Sequence, residues 1–220
     1  MSAHEAQCIT QKFVGTEIRL VFRNIFEERP TSTWLKGTDG LLIGGSGDFS
    51  VHVPQSAPWI KGLRHLLDAA LYQSLPGFGL CFGHQLLGYH LGGTVVTDPN
   101  HGELGTVEVG LTENGLRDPI FSTLGDTFMA HTGHSDYVMS TPAGVELLAS
   151  NDATATQAFR VSGTHFYSTQ FHPDMSGAEA QHRAHAYALG EGIAARFKKG
   201  SDDTNALLSR FAVQALGLNP

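Results

Sequence analysis

The 220-residue sequence predicts an α/β fold built on a mainly parallel, open sheet with helices on both faces. Three observations lead there. Short apolar runs of strand length alternate with segments whose apolar residues recur at helical spacing, and glycine-rich turns separate them. The length suits one large buried core and is short for two, so a single domain over residues 1–220 is expected.

The elements follow in order. Across Ser2 to Val14, the residues Ala6, Ile9, Phe13 and Val14 are spaced for one face of a helix, and Ile18 to Phe22 reads as a strand. Gly40 to Ile43 reads as a short buried strand that runs into the loop Gly44-Gly45-Ser46-Gly47. After Pro58, which suits a first helical turn, Leu63, Leu66, Leu67, Ala70 and Leu71 mark a helix. A short buried segment ends at Leu80, and an apolar helical pattern from His84 to Leu91 stops at Gly92-Gly93. Thr94 to Thr97, Gly105 to Val109, Thr127 to Ala130, Val145 to Ala149 and Thr164 to Phe171 read as strands between turn residues. Ser176-Gly177-Ala178-Glu179 has the spacing of a capping box and predicts a helix towards Lys199. A last helix is marked by Leu207, Leu208, Phe211, Ala212, Ala215 and Leu216, and Gly217 ends it.

Composition narrows the function classes. Hydrophobic residues at 41% against 16% charged exclude a disordered chain. Lys and Arg number 14 and Asp and Glu 21, a net charge of −7 that disfavours nucleic acid and anionic membranes as partners. The two cysteines, Cys8 and Cys81, are too few for a disulfide framework, and no apolar run reaches the length of a membrane span. Met1 to Thr10 lacks the basic and apolar regions of a signal peptide, so a cytoplasmic location is expected.

Gly79-Leu80-Cys81-Phe82-Gly83 places a nucleophile between glycines where a buried strand gives way to a helix. This is the pattern of a nucleophile elbow with Cys in place of Ser. So tight a turn leaves no room for neighbouring Cβ atoms, and the positive end of the helix that follows favours negative charge on the sulfur. A lone buried cysteine is more often structural; the flanking glycines turn the reading towards chemistry.

The stretch Gly79 to Leu87, continued by Leu91-Gly92-Gly93-Thr94-Val95, resembles the nucleophile motif of the class I (triad-type) glutamine amidotransferases. Three further stretches resemble the same family: Thr169-Gln170-Phe171-His172-Pro173-Asp174, Asp39 to Gly45, and Gly133-His134-Ser135-Asp136-Tyr137-Val138. The resemblance runs in order from about Gly40 to Asp174. It implies a flavodoxin-like three-layer fold and hydrolysis of the glutamine side-chain amide through a γ-glutamyl thioester on Cys81.

The resemblance also assigns roles. His172 becomes the base and later the acid, a task suited to an imidazole that titrates near neutral pH. Asp174, two residues on, leaves an extended segment from the same side and can fix the imidazole tautomer, with Pro173 favouring that extended form at His172. The family usually carries Glu at this place, so a carboxylate one methylene shorter holds His172 loosely unless the backbone compensates, and the triad is expected to work but to be sensitive here. The oxyanion hole is implied to be the N–H groups of Gly45 and Phe82, in a loop expected to be more mobile than one with proline after the glycine pair. Gln85 is implied to contact glutamine, and Gly133, His134 and Ser135 to hold its amino-acid end.

No cofactor is implied. His131 with His134, and His182 with His185, lack further partners at metal-ligand spacing, so no metal is expected, and His101-Gly102-Glu103-Leu104-Gly105 is taken as structural. The chain offers no room for a synthetase domain, which leaves a separate synthetase partner or a stand-alone γ-glutamyl hydrolase. A catalytically impaired regulatory domain is the non-enzyme alternative. The intracellular peptidase and chaperone group on a similar fold tends to place His directly after the nucleophile, where this chain has Phe82. Finally, family members usually open with an interior strand before the first helix. Here nothing before Ile18 reads as that first strand, and Ile18 to Phe22 would serve as the second.

Overall fold

The computed structural model describes residues 3–46, 49–53, 57–98 and 100–218. Gly47 and Asp48 of the glycine loop lie outside the described residues. In chain order the elements are helix α1 (Ala3–Gln11), strand β1 (Leu41–Ile43), α2 (Ala57–Tyr72), β2 (Gly77–Leu80), α3 (Phe82–His90), β3 (Val95–Thr97) and β4 (Glu103–Leu111). There follow α4 (Glu113–Arg117), β5 (Thr127–His134), β6 (Asp136–Val138), β7 (Val145–Ser150), β8 (Ala158–Val161), β9 (Phe166–Thr169), α5 (Gly177–Ala186), α6 (Glu191–Ala194) and α7 (Leu207–Leu216).

Seven strands form one sheet in the order β1-β2-β9-β8-β7-β4-β5, and β3 pairs with β6 beside it. The parallel part predicted from the strand–helix alternation is confined to β1, β2 and β9, and the sheet as a whole is mixed. Connection length explains the division. Between β1 and β2 the chain has α2 as a crossover, whereas β7, β8 and β9 follow one another through short turns that permit only antiparallel pairing.

Both faces of the sheet are covered. Strand alternation sends Phe78, Leu80 and Tyr167 to one side, where they pack against Ile9 and Phe13 of the N-terminal segment and Leu208, Phe211 and Ala212 of α7. Ile43, Phe159 and Phe166 face the other side, against Leu63, Leu66 and Leu67 of α2 and Leu86 and Leu87 of α3. Three layers result.

The structure departs from the sequence reading in several places. Residues 18–22 join no ladder: Ile18 and Leu20 lean against the core, while Val21 and Phe22 stay exposed. Apolar β-branched character predicts a half-buried pleated surface, and here no neighbouring strand supplies one. Among the described residues no strand precedes β1, which pairs only with β2. The first helix forms as expected but ends earlier, and Val14 is 78% exposed rather than on the buried face. The capping box forms at Ser176 and Glu179, yet the helix does not reach Lys199. Ala188 and Gly190 take positive φ values of 54° and 85°, which turn the chain out of helix before α6. Strands β6 and β8 are short and weakly patterned, and the sequence does not announce them.

Candidate active site

Cys81 stands at the junction of β2 and α3 with φ 49° and ψ −97°, a conformation that costs a non-glycine residue about 1–3 kcal/mol. Surrounding bonds hold it there. Its N–H donates to Thr169 O of β9 at 2.8 Å, and its carbonyl accepts from Gln85 N at 3.0 Å as the helix starts. The flanking glycines are required by contact: a Cβ at Gly79 would stand 2.7 Å from the Gly83 carbonyl group, and one at Gly83 would stand 2.3 Å from Ile43 O. Cys81 occupies the N-cap position without a side-chain cap bond, so the first N–H groups of α3, Phe82 among them, have no partner from that side chain.

His172 lies just beyond β9 on a segment tied to both neighbours. Gln170 N–H donates to Gln157 O at 2.8 Å, and His172 N–H to His131 O at 2.8 Å. His172 Nδ1 lies 3.0 Å from Asp174 Oδ1, so the shorter carboxylate does reach the ring. Both side chains are buried. Burial by itself would lower the imidazole pKa, but the charge and hydrogen bond of Asp174, with a smaller contribution from the Cys81 sulfur, leave it raised. Burial would raise the Asp174 carboxyl, and His172 together with Arg183 holds it below its ordinary value. The pair therefore leans towards imidazolium and carboxylate. With Nδ1 engaged by Asp174, Nε2 is the nitrogen on offer to the sulfur.

Gly45 is brought against this pair, since a Cβ there would stand 3.4 Å from His172 Cε1 and 3.5 Å from Glu5 Oε1. Gln85 is buried in α3, where its Nε2 donates to Asp136 O at 2.7 Å and to Gln170 Oε1 at 3.3 Å. His134 closes β5, and Gly133 and Ser135 beside it are exposed. Of these three, His134 connects towards Cys81 indirectly, through the Asp136 carbonyl, Gln85 and Gln170. The histidine pairs have other partners: His131 lies against Thr106 and Asp202, His134 against Glu103, His182 against the His4 ring, and His185 against Glu191.

Some members of the site carry no role in the sequence reading. Gln170 Nε2 lies 3.6 Å from Cys81 Sγ, a contact that its place two residues before His172 could have signalled. Arg183 of α5 lies with Nη2 3.6 Å from Asp174 Oδ2 and Nη1 3.7 Å from Glu5 Oε1, and nothing in the local sequence announces that. A cleft of about 560 Å³ opens elsewhere, lined by residues such as His52, Ile60, Arg64 and Tyr89. It holds none of the residues above.

Comparison with known proteins agrees in family and fold. The family described as "Glutamine amidotransferase class-I" matches residues 6–187. The chain is 32% identical over 155 residues to one subunit of the GMP synthase [glutamine-hydrolyzing] of Sulfurisphaera tokodaii, covering 70% of this chain and 77% of that one. Against the longer GMP synthase [glutamine-hydrolyzing] of Caldicellulosiruptor saccharolyticus, identity is 31% over 145 residues, covering 66% of this chain and 26% of that protein. In fold it is similar to the crystal structure of a glutamine amidotransferase from Thermotoga maritima, with a TM-score of 0.71 and 19% identity over 86% of this chain and 81% of that one.

Proposed function

Because this chain belongs to the class I glutamine amidotransferases, we propose that it hydrolyses the side-chain amide of glutamine at Cys81 and passes the ammonia to a synthetase on a separate polypeptide. The observation that carries this reading is the 3.0 Å bond between His172 and Asp174, set beside a cysteine held at positive φ at the start of a helix. In the proposed cycle Cys81 Sγ, its proton taken by His172 Nε2, attacks the amide carbon of glutamine. The oxygen gains negative charge and is met by the N–H groups of Gly45 and Phe82. As the carbon–nitrogen bond breaks, His172 returns the proton to the leaving ammonia, and a γ-glutamyl thioester remains on Cys81. Water, deprotonated by His172, then attacks the thioester carbon, which releases glutamate and the thiol. Asp174 holds the imidazole in the tautomer that both steps need.

The relatives support a separate synthetase. One is named as a single subunit of its GMP synthase, and the longer GMP synthase is matched over only 26% of its length, so a GMP-forming synthetase is the proposed acceptor enzyme. We place the whole activity in one domain over residues 1–220 and require no cofactor. The test is labelling by a diazo-ketone analogue of glutamine, followed by mass mapping. A single adduct on Cys81, absent from Cys81→Ala, is expected; no adduct at neutral pH would favour a catalytically impaired domain. A large kcat/KM preference for γ-glutamyl peptides over glutamine would favour the stand-alone hydrolase instead.

A further inference from the structure

Glu103 opens β4 directly opposite His134 of β5 in the antiparallel ladder, so their side chains share a face of the sheet. Its side chain is buried, and three donors converge on it: His134 Nε2 at 3.1 Å, Asn151 Nδ2 at 2.7 Å and Gln157 Nε2 at 2.5 Å. Burial would raise the carboxyl pKa, but the hydrogen bonds from His134, Asn151 and Gln157 hold it below its ordinary value. An ionised carboxylate only accepts, so it dictates which end of each amide faces it.

The consequences reach the nucleophile. His134 Nδ1 lies 3.1 Å from Asp136 O, the same carbonyl that accepts from Gln85 Nε2 at 2.7 Å. Gln85 Nε2 also reaches Gln170 Oε1 at 3.3 Å, and Gln170 Nε2 lies 3.6 Å from Cys81 Sγ. Both neighbours of the Gln85 amide nitrogen are acceptors, so a flipped amide would set oxygen against oxygen. Its polarity is thereby fixed, with Oε1 directed away from those acceptors. A buried charge is costlier than a neutral side chain of similar volume, and packing alone does not call for one.

We propose that Glu103 is a positioning residue of the glutamine site, holding Gln85 and the turn after His134 in register with Cys81 through His134 and the Asp136 carbonyl. The proposal rests on the glutaminase reading above. Glu103→Gln keeps the shape but points an N–H₂ at donors, while Glu103→Asp keeps the charge with less reach. Three measurements separate the outcomes: steady-state glutamine hydrolysis, alkylation of Cys81 by iodoacetamide, and the Gln85 side-chain amide resonance without substrate.

Glu103→Gln is expected to raise KM for glutamine about tenfold or more with a smaller change in kcat, and to shift the Gln85 resonance. The iodoacetamide rate should stay the same, because that reagent does not need the glutamine site, and Glu103→Asp should fall between the variant and the wild type. An unchanged KM, or a slowing of iodoacetamide in step with the rise in KM, overturns the proposal. If Glu103→Gln does not fold, Glu103→Asp decides by the same readouts. A wild-type protein that does not hydrolyse glutamine overturns the glutaminase reading instead. The Gln85 resonance still tests the positioning in that case, and an unshifted signal in a folded variant refutes it.

Discussion

Asp174 Oδ1 and His172 Nδ1 are 3.0 Å apart, although the carboxylate is one methylene shorter than the family's usual glutamate. The chain turns between them, with Met175 N–H donating to His172 O at 3.4 Å, and Arg183 stands behind the other carboxylate oxygen at 3.6 Å. Asp174→Ala should therefore lower kcat for glutamine roughly a hundredfold with little change in KM, since it removes orientation of the base and not substrate contact. Steady-state kinetics checks this, and unchanged turnover across the pH range would remove Asp174 from the mechanism.

The same pair sets a pH window for stability. The raised His172 contributes fully below its ordinary value of 6.5, and that contribution is lost as pH rises through the folded value. The lowered Asp174 contributes above its ordinary value of 3.8 and loses its contribution as pH falls through the folded one. The gap in melting temperature between wild type and His172→Gln should thus be widest between pH 3.8 and 6.5 and narrow on both sides. Melting curves over a pH series measure it, and a gap that does not vary with pH would contradict the ion pair.

The two cysteines should react differently. Cys8 is buried in α1, and burial, with the nearby Glu179 charge adding to it, pushes its thiol up to about 11, whereas Cys81 is partly exposed. Iodoacetamide near neutral pH should modify Cys81 well before Cys8. Peptide mapping over time reads the order, and equal rates would mean that α1 does not cover Cys8 in solution.

Gly83→Ala tests the elbow itself. The added methyl would meet Ile43 O at 2.3 Å, a backbone atom that cannot rotate away. The variant should lose about 1–3 kcal/mol of stability and react more slowly with the glutamine-analogue diazo-ketone. Chemical denaturation and labelling rates provide the check; wild-type values in both would show that α3 can shift away from β1 at no cost.

What the sequence determined by itself is what short-range chemistry controls. The glycines around Cys81 prescribe a tight strand-to-helix turn, and Ser176 with Glu179 writes its own helix cap; His172 and Asp174 do meet, but across a turn at Pro173 and Asp174 and not along the extended segment that the spacing predicts. Periodicity likewise located α2, α3 and α7, whose apolar faces are long enough to repeat. Tertiary structure decided whatever depends on a distant neighbour. Residues 18–22 have strand-like composition but no ladder, because pairing needs a partner strand that local sequence does not supply. The convergence of Glu103, Asn151 and Gln157, the reach of Gln170 to the sulfur and that of Arg183 to Asp174 each join segments whose separation only the packed sheet closes. A side chain's sequence context fixes its direction from its own backbone, but what it touches is set by which strand lies beside it, and that is a property of the whole fold.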